Sequence, residues 1–124
     1  MKFFKCHSQK YKNELLIELE DKFTDIGPDV FAECSAQYIF LSEKTKVLRD
    51  YAFSGIYTKC GIYLPPAIDE IEMLAFEGMG PDVTMYCRQG SYAATVCAEH
   101  GVNVCYDIEH GYTVMSPQHR LLHT

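Results

Sequence analysis

An α+β domain, with mixed strands and three to four helices, is the fold class this sequence predicts. Three observations carry it. Several stretches place apolar residues three and four positions apart, the spacing of one helix face. Others alternate apolar and polar residues as a half-buried strand does, above all "VNVCYDI". Gly, Pro, Asp and Ser separate these stretches at short intervals, without a linker or low-complexity segment, so residues 1–124 read as one domain. No repeat of domain scale is expected.

The elements follow in chain order. "KFFKCH" reads as a short first strand. In "QKYKNELLIELEDKF", alternation at Leu15, Ile17 and Leu19 and the i, i+4 pairs 15/19 and 19/23 both fit; a helix is expected. "TDIGPD" is a loop by its Gly-Pro and Asp content. "SAQYIFLSE" is a strand that enters a helix, with Ser42 as N-cap and Glu43 in the first turn, where a carboxylate suits the helix dipole. That helix, "EKTKVLRDYAF", buries Val47, Leu48 and Tyr51 and stops at Gly55. "IYTKCGIYL" is β-rich. Pro65 and Pro66 then open a helix, "AIDEIEMLAF", with Ile68, Ile71 and Ala75 on one stripe. "PDVTMYC" is a strand, and "GSYAATVCAEHG" is a helix capped by Ser91 and ended by Gly101. In "VNVCYDI", Val102, Val104, Tyr106 and Ile108 share one face and Asn103, Cys105 and Asp107 the other.

The tripeptide Glu-His-Gly occurs at 99–101 and again at 109–111. The two copies serve different ends. The first closes a helix, with Gly101 as its left-handed cap; the second is a three-residue hairpin loop with Gly111 at the position that needs positive φ. Four of the five histidines lie in the last quarter, but no histidine or cysteine spacing matches a zinc-ligand pattern.

Bulk properties narrow the function classes. A chain of 124 residues buries enough surface to fold without disulfides or metal. It holds no apolar run long enough to span a bilayer, and "MKFFKCHSQKYK" lacks the apolar core of a signal peptide, so the expected location is cytoplasmic. The six cysteines form no C-x-x-C pair and sit beside apolar residues; all six are expected to be free core thiols. The net charge of −6, with no basic stripe, argues against simple binding to a nucleic-acid backbone. It leaves room for an acidic protein that occupies a partner's basic groove.

Three patches together resemble a known family. They are "FFKCHS", a strand ending in His-Ser; "YIFLSEKTKVLRDYA", with Phe40 and Tyr51 eleven positions apart; and "HGVNVCYDIEHGYTVMSPQHRLL", a Gly-led hairpin. In order and spacing they are similar to the ADP-ribosyltransferase fold, the lineage of the poly-ADP-ribose polymerases and diphtheria toxin. In size the chain looks most like the phage anti-CRISPR ADP-ribosyltransferases.

The resemblance implies a mono-ADP-ribosyltransferase that uses NAD as substrate and modifies a macromolecular target, in the host cytoplasm if the protein is viral. His7 and Ser8 would hold the ribose and the nicotinamide amide. Phe40 and Tyr51 would line the nicotinamide slot, with Ser42 beside them in the cofactor set. Glu109, with Asp107 as the alternative, would stabilise the oxocarbenium-like charge that develops when the nicotinamide–ribose bond breaks. The sequence departs from the family in two places: Phe40 stands where the family has tyrosine, and Gly111 and Tyr112 stand where its acid often sits. The alternative reading is a non-enzymatic acidic inhibitor, an immunity or anti-defence protein or a nucleic-acid mimic, that acts by binding a partner protein.

Overall fold

The computed structural model describes residues 16–107. The chain there winds as a parallel β-solenoid. Its strands are β1 (Leu16–Glu18), β2 (Asp25–Ile26), β3 (Tyr38–Phe40), β4 (Val47–Leu48), β5 (Cys60–Tyr63), β6 (Glu70–Ile71), β7 (Val83–Tyr86) and β8 (Asn103–Cys105), with one helix, α1 (Tyr92–Glu99). They sort into a five-stranded sheet, β1-β3-β5-β7-β8, and a three-stranded sheet, β2-β4-β6. Every pairing is parallel. Early strands alternate between the sheets, so each coil of the chain adds one strand to each.

The coil repeats in sequence as well as in space. Ile17, Ile39, Ile62 and Met85 pair in register and point inward, each all but fully buried. Two residues later Leu19, Leu41, Leu64 and Cys87 are buried in turn. Ile26, Leu48 and Ile71 make the matching column of the second sheet. Phe31 and Phe53 stack at 5.9 Å with rings 3° from parallel, and Phe53 and Phe76 at 6.0 Å and 8°. Each column steps by 22 or 23 positions, as residues 17, 39, 62 and 85 show, within the period that marks solenoid arrays. A single coil has no way to enclose its apolar side chains; stacked coils share one continuous core.

The corners close by backbone bonds from coil to coil. Asp29 N–H donates to Tyr51 O, and Tyr51 N–H to Leu74 O, both at 2.9 Å. The left-handed backbone that each bend needs recurs at Glu33, Gly55 and Gly78, with φ of +64°, +92° and +78°. At Gly55 a Cβ would lie 2.7 Å from Ala32 Cα, so glycine serves both the turn and the close approach there.

The last coil breaks the pattern. After β7 the chain forms α1 instead of a strand of the second sheet. Ser91 caps it, accepting from Ala94 N–H, and Gly101 follows it at φ +69°. The Tyr92 hydroxyl accepts from Ile71 N–H at 3.3 Å, on the outer strand of the three-stranded sheet. His100, just past the helix, meets Phe76 edge-on at 5.7 Å and ends the ring stack.

This architecture overturns the predicted α+β domain with three to four helices and, with it, the ADP-ribosyltransferase-like fold. The strand readings at 35–43, 56–64, 81–87 and 102–108 fall on β3, β5, β7 and β8, and the helix with Ser91 and Gly101 is α1. The helices expected over 43–53 and 67–76 are instead corners and the short strands β4 and β6. The described part of the helix expected over 9–23 contains β1. In a solenoid the core lies inside the coil, so residues at successive corners all point inward. Ile68, Ile71 and Ala75 thereby acquire helix-like spacing without a helix. The first strand and the second Glu-His-Gly lie outside the described residues.

Candidate functional site

The outward face of the five-stranded sheet carries a concentration of aromatic side chains. Alternation along each short strand sends one residue inward and its two neighbours outward. Outward, Tyr38, Gly61 and Thr84 form one row in register, and Phe40, Tyr63 and Tyr86 the next. Phe40 and Tyr63 are buried, with ring centroids 5.9 Å apart, and Leu16, Tyr38 and Tyr86 pack against them half-buried. Gly61 has no side chain to fill its place in the row. A cavity of about 400 Å³ opens there, lined by Gln37, Tyr38, Lys59, Cys60, Gly61, Thr84 and Tyr86.

The chemistry of this notch is recognition chemistry. Burial, then the neighbouring Cys105, Tyr38 and Asp107, raise the Tyr86 phenol above its ordinary value, so it stays a neutral donor near neutral pH. Burial pushes the Cys60 thiol up to about 12, which removes it as a nucleophile. Tyrosine rings, a threonine hydroxyl and one exposed lysine offer apolar contact and hydrogen bonds.

A polar cluster lies at the far ends of β3 and β5. Ser42 Oγ donates to Asp21 Oδ1 at 2.6 Å and accepts from Lys44 N–H at 3.0 Å, a local turn rather than a helix cap. The Tyr63 hydroxyl donates to Glu43 Oε1 at 2.8 Å. On the three-stranded sheet, Arg49 reaches Asp25 at 2.6 Å and Glu70 and Glu72 at 3.6 Å each. Among the described residues, no group of three His, Cys, Asp or Glu side chains is placed to hold a metal ion.

The residues named from the sequence are scattered across these features. Phe40 is buried in the outward aromatic row, and Ser42 is buried against Asp21. Tyr51, expected on a buried helix face, is 42% exposed in the turn after β4, at φ +61°. Asp107 is exposed, near enough to Tyr86 to raise its phenol. His7, Ser8 and Glu109 lie outside the described residues. The NAD roles given to all of them came with the resemblance.

The family model described as BspA type leucine rich repeat region (6 copies) matches residues 2–85. The chain belongs to that family. No curated protein and no solved structure matches it. Membership in the BspA type leucine rich repeats replaces the ADP-ribosyltransferase resemblance, and the transferase activity and NAD use inferred from it are withdrawn. In a repeat array of this kind each coil packs only on its neighbours, and the stack presents an extended surface.

What sequence reasoning missed in this BspA type repeat protein is the repeat itself and, through it, the notch. The signal was present. Val30-Phe31, Ala52-Phe53 and Ala75-Phe76 recur 22 and 23 positions apart. Ile-x-Leu recurs as Ile17-Glu18-Leu19, Ile39-Phe40-Leu41 and Ile62-Tyr63-Leu64. Aligning the coils places Tyr38, Gly61 and Thr84 in one row from sequence alone.

Proposed function

We propose that this BspA type leucine rich repeat protein is a non-catalytic interaction module. It would hold a protein partner on the outward face of its five-stranded sheet, around the notch between Tyr38 and Tyr86. The observation that carries this is the gap at Gly61, with tyrosines about it and Lys59 at its edge, on an otherwise packed aromatic face. Tyrosine suits such a surface because it gives a large contact area with a polar tip at low conformational cost. The net charge of −6 favours partners with a basic surface beside the contact.

This keeps the binding half of the acidic-inhibitor reading. It does not favour a nucleic-acid mimic, since Arg49 sits among Asp25, Glu70 and Glu72 and breaks up the carboxylates of the three-stranded sheet. No helix among the described residues is long and apolar enough to cross a membrane. The expectation of six free thiols fails at Cys34, which is disulfide-bonded, a state that persists in oxidising compartments. The binding reading requires neither compartment.

The test is affinity capture with three baits. A partner retained by the wild type should be lost with the Tyr38→Ser/Tyr86→Ser double variant. It should be kept with Tyr57→Ser, which alters a tyrosine that is 72% exposed and does not line the notch. Equal retention on all three baits would place the contact elsewhere and sink the proposal.

A further inference from the structure

The phenylalanine column stops one coil before the corner column does. Glu33, Gly55, Gly78 and Gly101 all hold left-handed backbone, at steps of 22 and 23 positions, so the last coil keeps the bend. The rings do not follow it. Phe31, Phe53 and Phe76 stack in turn, but the position 23 beyond Phe76 is Glu99, the exposed last residue of α1. Beside Phe76 a second cavity of about 400 Å³ opens, walled by that ring and by Met73, Met79 and Val102. His100, which meets Phe76 edge-on, lines it too. We propose that this cavity, at the end of the ring column, binds a small arylalkylammonium: a flat aromatic ring on a short chain that ends in a positive charge.

The apolar wall selects the ring. The cavity's volume lies within the range of small-ligand pockets. An aromatic ligand gains from offset or edge-on contact with other rings, here Phe76 and the His100 imidazole. Thioether sulfur packs favourably against a ring, and Met73 and Met79 bring two. Met73 is 81% exposed, so a ligand that covers it removes a large apolar side chain from water.

The polar groups select the charge. Glu77, His100 and Asn103 line the cavity, and each turns an acceptor to a ligand. Glu77 is an exposed carboxylate. His100 Nδ1 lies 2.9 Å from Val96 O, which can only accept; in the neutral ring Nδ1 therefore carries the proton and Nε2 is the acceptor. Asn103 Nδ2 donates to Pro81 O at 3.0 Å and Val83 O at 3.2 Å, so its other polar end, Oδ1, accepts. No lysine or arginine is among the described residues that line the cavity. An ammonium supplies the donors and positive charge that this set lacks, whereas a carboxylate on the same ring would meet like charge at Glu77. The notch at Gly61 shares no lining residue with this cavity and has Lys59 at its edge, so the two sites stand independently.

The experiment titrates tryptamine, indolepropionate and butylamine into the full chain, with isotope-labelled methionine methyl groups followed by NMR. Tryptamine should bind saturably and shift the Met73 and Met79 methyl signals, while Met85, fully buried in the core, stays in place. Indolepropionate has the ring without the positive charge, and butylamine has the charge without the ring; each should bind about tenfold more weakly or worse. Glu77→Gln, a change at an exposed position, should weaken tryptamine about fivefold, the worth of one exposed ion pair. The proposal is overturned if tryptamine fails to bind at millimolar concentration, or if either control ligand matches it. It is overturned equally if the shifts fall on other methyl groups, or if Glu77→Gln leaves the affinity unchanged.

Discussion

Gly55 and Gly90 both hold left-handed backbone, at φ +92° and +85°, yet their surroundings differ. A side chain at Gly90 would meet open space; one at Gly55 would strike the Ala32 backbone at 2.7 Å. Gly90→Ala therefore carries only the left-handed penalty, about 1 kcal/mol. Gly55→Ala adds a backbone clash and should cost about 3 kcal/mol. Urea unfolding of the two variants should separate them; equal losses would mean that the coils yield freely at the Ala32 contact. Residue-scale rules were the legible part of the sequence wherever they were local. Ser91 as cap and Gly101 as terminator needed only their neighbours, and both are as read. Tyr51 was misread because its place depends on Asp29 and Leu74, 22 and 23 positions away, which share its backbone bonds.

Elements are where the reading failed, and the cause is geometric. A helix and a tight coil both bring residues three and four apart toward one apolar region. They differ in how the polar residues are satisfied. On the three-stranded sheet, strands of two residues carry Asp25 and Glu70, which with Glu72 surround the one guanidinium of Arg49. Arg49→Met should leave Asp25 on one side and Glu70 and Glu72 on the other side of the β4 coil without the cation between them. Melting temperature should drop, and the drop should shrink as sodium chloride is raised, because added salt screens exposed like charges. A drop unchanged by salt would assign the loss to packing of the arginine stem. Strands β3, β5 and β7 of the wider sheet were legible because Ile and Met alternate there with Tyr, Phe and Thr, whereas β1, with Leu15, Ile17 and Leu19 also spaced as a helix face, was read as a helix. Those of the narrower sheet are too short to alternate at all.

The whole molecule hid in plain view, since its organising fact is a period longer than any window suited to helices and strands. The three-patch likeness to ADP-ribosyltransferases drew on "YIFLSEKTKVLRDYA", which is β3, β4 and the turn after them, part of a single coil. The notch at Gly61 became visible only when coils were laid over one another. At the same scale the cysteines need restating. Cys60, Cys87 and Cys97 are core thiols, as read, but Cys34 is bonded. A denatured sample kept from both oxidant and reductant should titrate fewer than six thiols, rising to six after reduction, because Cys34 is bonded. Six thiols at the outset would remove the bond at Cys34 and restore the first expectation.

Any array built by adding like units needs something that stops the addition. Here the stop on the narrower sheet is a phenol. By taking the Ile71 N–H, Tyr92 occupies a docking point that a further strand, from this chain or a second copy, would use. The helix that takes the place of the next strand thus also covers, through one oxygen atom, an edge group of the strand before it.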